Sequence, residues 1–238
     1  MNRQGNTYTV IYSVVLVLVV GVVLSLVYQA LRPTQEENIA NDTKKQILAA
    51  ARIIPSPGQS VSDLYDDHIV RSFIVDSEGH EVDSSVPAFS VNVAAQVKLP
   101  DAERLLPVFE CSTSDGLKYI LPVYGAGLWG PIWGYIAFDA DGDTIYGAYF
   151  AHQGETPGLG AEIEKPAFSS QFAGKNIFDS EGAFTPIAVV KAGQAPASGD
   201  YVNAVSGGTI TSQGVQRMLA NSLAPYSSFL KALGHESE

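Results

Sequence analysis

Residues 118–153 read KYILPVYGAGLWGPIWGYIAFDADGDTIYGAYFAHQ, and this stretch decides the fold. Its three segments 118–125, 130–139 and 143–153 are rich in β-branched and aromatic residues, the composition of half-buried strands. DADGD (139–143) between the last two is a turn sequence, so they are expected to form an antiparallel hairpin. The same acidic run lacks the ligand spacing and terminal Glu of a calcium loop.

Outward from this centre, RSFIVDSEGHEV (71–82) reads as two short strands about a Glu78-Gly79 turn, and TPIAVVKA (185–192) as a further strand. A closing helix is expected from about Ser212, with Met218, Leu219 and Leu223 on one face and Pro225 interrupting it before a final short helix. The pattern predicts one α+β domain with a largely antiparallel sheet.

The N-terminal part has a different character. From Tyr8 to Tyr28 the chain is apolar, and no charge occurs between Arg3 and Arg32. At about 1.5 Å per residue the run covers roughly 30 Å, the thickness of a hydrocarbon core. It exceeds the apolar run of a cleaved signal peptide and lacks a small-x-small site after it, so an uncleaved anchor is expected over residues 1–31. Thr34 and Glu37 have capping-box spacing, which predicts a separate stalk helix over about 34–52 that IPSPG (54–58) ends. The expected organisation is an anchor (1–31), a helical stalk (32–58) and an α+β domain (59–238). Flanking positive charge is nearly balanced. The short N-terminus is expected inside and the large acidic domain outside.

All 25 acidic residues but only 13 of the 14 Lys and Arg lie beyond residue 31, giving that part a formal charge of −12. Such a domain repels phosphodiester backbones and has no basic stripe, which argues against a nucleic-acid partner. The single cysteine, Cys111, rules out an intrachain disulfide and multi-cysteine metal clusters, and reads as a small buried hydrophobe.

Three segments are unusual. GAGLWGPIWG (125–134) holds four glycines and both tryptophans: either a bent strand with Trp in the core or an aromatic platform for a planar ligand. HQGETPGLGAEI (152–163) packs Pro and three Gly into a tight loop; it is a turn, or a loop presenting a hydroxyl and backbone N–H groups to a ligand. His152 with Glu155 lacks a third nearby ligand at metal spacing, so no metal site is assigned. NAVSGGTITSQGVQRM (203–218) is a Gly-rich turn leading into a helix, either an ordinary turn and cap or a phosphate-binding helix start.

Together these segments resemble one family. SGGT (206–209) followed by ITS is similar to the Ser/Thr-Gly-Ala-Thr motif of FMN-binding domains that carry flavin covalently on the final Thr. HQGETPGLG resembles the Glu-Thr-Pro-Gly-Leu-Gly loop of the same domains. GLWGPIWGYIAF resembles the C-type subunits of Na+-translocating NADH:quinone reductases (the Nqr complex). The related G-type subunits of Rnf complexes share the threonine and Glu-Thr-Pro-Gly motifs without Gly-Leu-Trp-Gly. A membrane-anchored module without cofactor is the remaining alternative.

The resemblance spans the anchor and about residues 118–215. It implies FMN ester-linked through its phosphate to Thr209 by a flavin transferase acting on FAD. Ser206, Gly207, Gly208 and Thr211 would shape the attachment. Glu155, Thr156, Leu159 and Gly160 would border the isoalloxazine, Trp129 would lie near its face, and Lys191 would be a polar contact. Asn203 stands where the family motif usually begins with Asp, and Gly208 where it usually has Ala. The resemblance further implies an electron carrier among other membrane subunits of the Nqr complex, in a bacterial inner membrane with its domain on the periplasmic face. NADH oxidation and Na+ passage would fall to those partners.

Overall fold

The computed structural model describes residues 5–236 of the chain; Arg3, the charge on the N-terminal flank, lies outside them. Two compact units divide between Thr43 and Lys44. The first consists of most of helix α1 (Asn6–Ala50), which is long and apolar enough to cross a membrane, with a mean hydropathy of 3.0 over its most apolar 18 residues. The expected break between anchor and stalk is absent: α1 runs through Pro33, so Thr34 sits inside a helix and caps nothing. Proline removes one intrahelical bond there. Strong helix formers continue on both sides, and the exposed Arg32–Glu36 pair, 2.7 Å apart, spans the interrupted turn.

In the second unit α1 is closed off at Arg52, which adopts a left-handed backbone (φ 60°) while Ile53 N–H donates to Leu48 O. Helix α2 (Val61–His68) follows, capped by the Ser60 hydroxyl, which accepts from Asp63 N–H. Strand β1 (Ile69–Val75), the one-turn helix α3 (Val93–Gln96), and strands β2 (Leu106–Thr113), β3 (Gly116–Ala126), β4 (Pro131–Phe138) and β5 (Ile145–His152) come next. The five strands form an antiparallel meander in chain order, and β4 and β5 are the expected hairpin. The second half of RSFIVDSEGHEV departs from expectation. After the Gly79 turn it makes one bridge, Val75 to Glu81, rather than a strand.

Neighbouring residues on one strand point to opposite faces, and both faces are covered. Phe109, Cys111, Ile120 and Ala137 pack with Ile47, Leu48, Leu64 and Tyr65 at the end of α1 and on α2. Val108, Leu121, Val123, Ile136 and Phe138 pack on the opposite side with helix α5 (Thr209–Leu223) and helix α6 (Ser227–Glu236). Cys111 is fully buried, which pushes its thiol up to about 11 and leaves it inert as a nucleophile. At the far end of the sheet Phe150, Phe168 and Phe172 form a ring cluster with centroids 5.0–5.6 Å apart, Phe168 lying on the one-turn helix α4 (Pro166–Ser169).

Strand β6 (Ala188–Val190) lies within the expected 185–192 segment but pairs in parallel with β7 (Tyr201–Asn203). The closing helix also differs: it starts at Thr209, three residues before Ser212. The Ser212 N–H already donates to Gly208 O, and its hydroxyl accepts from Val205 N–H, so Ser212 ties the glycine turn to the helix instead of beginning it. Pro225 breaks α5 from α6 as expected.

Candidate functional site

Three connections converge on one cavity of about 360 Å3, within the usual range for small-molecule sites. It is lined by Leu128 and Trp129 from the β3–β4 loop, by Glu155, Thr156, Leu159 and Gly160 after β5, and by Gly207, Gly208, Thr209, Ile210 and Thr211 at the start of α5. The β3–β4 loop closes tightly because Gly127 N–H donates to Gly130 O at 2.8 Å. This leaves the Trp129 side chain 69% exposed at the rim. The other tryptophan, Trp133, is half-buried and donates from Nε1 to Gln46 Oε1 at 3.0 Å.

After β5 the chain turns on His152, whose Nδ1 accepts the Glu155 N–H and whose own N–H donates to Glu164 Oε1. Thr156 O then accepts from Leu159 and Ala161 N–H, folding Glu-Thr-Pro-Gly into a compact turn. Leu159 reaches across to the glycine turn before α5: a Cβ on Gly207, itself at φ 74°, would stand 2.5 Å from Leu159 Cδ2.

Glu155 lies at the centre, 4% exposed. Its Oε1 accepts from Trp129 N–H at 2.8 Å and its Oε2 from the Thr211 hydroxyl in a short hydrogen bond. Burial pushes this carboxyl up, but the Thr211 hydroxyl, the Trp129 and Leu128 N–H groups and the nearby His152 outweigh it and hold the group below the usual carboxylate range. Gly160 makes room for this arrangement, since a Cβ there would lie 2.3 Å from Glu155 Oε2.

Thr209, exposed, is the first residue of α5. The first turn of a helix leaves N–H groups without intrahelical acceptors and carries the positive end of the helix dipole, which suits a phosphate. Leu128, Trp129, Leu159 and Ile210, all substantially exposed, offer apolar walls to a planar ring. These residues fit FMN: hydroxyl and N–H groups for the phosphate, apolar faces for the ring, and glycines where a side chain would fill the space.

A model of the FMN-binding domain matches residues 127–224. The C subunit of the Na+-translocating NADH-quinone reductase of Vibrio vulnificus is 35% identical over 214 residues, covering 84% of this chain and 83% of its own. The chain belongs to the family of C subunits of Na+-translocating NADH-quinone reductases, the NqrC family. Crystal structures of family members agree. That of the C subunit from Parabacteroides distasonis is 47% identical with a TM-score of 0.77, covering 84% of this chain and 96% of its own. That of Shewanella oneidensis NqrC is 28% identical with a TM-score of 0.69, covering 82% and 98%.

Of the residues that the family resemblance singles out, nine line the cavity: Trp129, Glu155, Thr156, Leu159, Gly160, Gly207, Gly208, Thr209 and Thr211. Ser206 lines a neighbouring groove with Asn203, Gln171 and Lys165. Lys191 is exposed just after β6 and lines neither. Leu128 and Ile210 complete the apolar wall without having been singled out. Ile210 does carry a signal, an apolar residue between two threonines in a polar first turn.

Proposed function

We propose that this NqrC family member is the FMN-carrying electron-transfer subunit of a Na+-translocating NADH:quinone oxidoreductase, with the flavin ester-linked through its phosphate to Thr209. The observation that carries this reading is an exposed threonine hydroxyl at the first position of α5, on the rim of a cavity walled by Trp129, Leu128, Leu159 and Ile210. Attachment exchanges the phosphoanhydride bond of FAD for a phosphoester. The Thr209 Oγ1–P bond forms on the flavin-side phosphorus of FAD as its P–O bond to the adenylate breaks. AMP leaves and the hydroxyl proton passes to solvent, with no change in oxidation state. A flavin transferase serves this step, and the exposure of Thr209 supports its access.

Bound FMN supplies the redox chemistry. The chain's own residues position and retain it. The glycines keep the cradle open; the N–H groups of the first turn of α5 would meet the phosphate, Thr211 would hold Glu155 beside them, and the apolar wall would flank the ring. An ester retains the carrier whatever its equilibrium affinity, which matters on the outer face of a membrane, where free flavin diffuses away. On this reading residues 1–31 anchor the chain in a bacterial inner membrane, the part of α1 from 32 to 43 forms a stalk, and the periplasmic domain begins at Lys44, where the end of α1 enters its core. Electrons pass between this chain and other membrane subunits of the complex towards quinone, coupled to Na+ export by those subunits.

Intact-mass measurement after co-expression with a matched transferase tests the proposal. A gain equal to one FMN less one water, absent in Thr209→Ala and retained in Thr211→Ala, is the expected result. No gain in the unsubstituted chain, or dependence on Thr211 instead, overturns it.

A further inference from the structure

We propose that Glu155 is an anionic positioning residue: it joins the Trp129 loop to the first turn of α5, and its fixed charge sets the field in the cavity. The inference rests on the FMN reading only for what that field acts upon. Glu155 is the one carboxylate among the cavity-lining residues. It lies on the connection after β5, yet each of its oxygens is bonded to a different connection: Oε1 to the Trp129 N–H between β3 and β4, Oε2 to the Thr211 hydroxyl in the first turn of α5. The carboxylate therefore joins all three walls at one point. Two glycines accommodate it, since a Cβ on Gly127 would stand 2.5 Å from Oε1 and one on Gly160 2.3 Å from Oε2.

The Trp129 N–H and the Thr211 hydroxyl that donate to it are neutral groups and leave it a negative charge, with His152 the titratable group that acts on it electrostatically. In a buried site that charge acts through a low effective dielectric and disfavours any further negative charge arriving in the cavity. A neutral amide there would offer one acceptor oxygen in place of two, so accepting from Trp129 and Thr211 at once calls for the carboxylate. The ionised state is itself favoured, because the donors aimed at the carboxylate hold it below the usual range despite burial.

The test compares full-length flavinylated chains carrying Glu155→Gln or Thr211→Val with the unsubstituted protein. Glu155→Gln preserves shape but removes the charge and one of the two acceptor oxygens; Thr211→Val removes one bond and keeps the charge. The midpoint potential is read by redox titration, with the Thr209 adduct checked by mass. Glu155→Gln is expected to shift the reduction equilibrium in favour of the reduced form by about tenfold, roughly 59 mV for one electron, and Thr211→Val by much less. An adduct-bearing Glu155→Gln protein with unchanged potential, or equal shifts in both variants, overturns the proposal. Hydrogen–deuterium exchange over residues 127–130 is measured on unflavinylated full-length chains. It decides the positioning claim even if no chain carries the adduct, a result that would instead defeat the FMN reading. Faster exchange in Glu155→Gln supports the positioning role; unchanged exchange refutes it.

Discussion

Replacing Gly160 by alanine would place a methyl carbon 2.3 Å from Glu155 Oε2 and 2.5 Å from Thr211 Oγ1, distances that no real Cβ tolerates. Gly160 has no left-handed backbone, so the chain would accept alanine there and the whole effect arises from this close approach. Relief requires the carboxylate to give up the Thr211 hydroxyl. Losing a hydrogen bond to a charged group costs about 1.5–3 kcal/mol, offset by about 0.4–1 kcal/mol from the smaller unfolded-state entropy of alanine. The net loss of about 0.5–2.6 kcal/mol corresponds to roughly 1–10 °C in melting temperature for a domain of this size. Thermal melting followed by tryptophan emission suits the measurement, because Trp129 and Trp133 are the only reporters and Trp129 sits on the loop that Glu155 holds. Gly158→Ala is the control: nothing lies within 4 Å of its added Cβ, but its φ of 75° imposes a backbone cost of about 1–2 kcal/mol. It should lower the melting temperature without altering Trp129 emission. A Gly160→Ala protein that melts with the unsubstituted chain and keeps its emission spectrum would refute the close-approach argument.

Two further outcomes are expected. Because the folded state holds the Glu155 carboxyl below its ordinary value of 4.5, its contribution to stability is present above about pH 4.5 and is lost as pH falls through the lowered folded value; denaturant titrations from neutral pH down through that range should show a smaller acid loss for Glu155→Gln. Ser212→Ala leaves the Val205 N–H without its hydroxyl acceptor, at a cost of about 1–3 kcal/mol. It should loosen the glycine turn, which exchange over 204–208 would register, whereas unchanged exchange would deny Ser212 its tethering role.

What the sequence determined by itself was local. The apolar run of α1, the β4–β5 hairpin and the breaks at IPSPG and Pro225 each follow from residues close together in the chain, where periodicity and turn chemistry act. The cavity was half legible in the same way. Glu155-Thr-Pro-Gly and Ser206-Gly-Gly-Thr carry their signature in composition, and family resemblance supplied their meaning. Tertiary structure decided the rest. The pairing of β1 with β2 and the parallel pairing of β6 with β7 depend on chain segments whose propensities alone select no partner. The start of α5 at Thr209 depends on a Ser212 hydroxyl turned back to Val205. Pro33 favours a helix break, yet the helix continues because the bonds of its neighbours outweigh the one it removes. Lys191 stands near the glycine turn in sequence and outside the cavity in space. Glu155 shows the division most clearly. Its sequence neighbours mark a turn, but its partners Trp129 and Thr211 lie 26 and 56 residues away, and only folding brings them to one carboxylate.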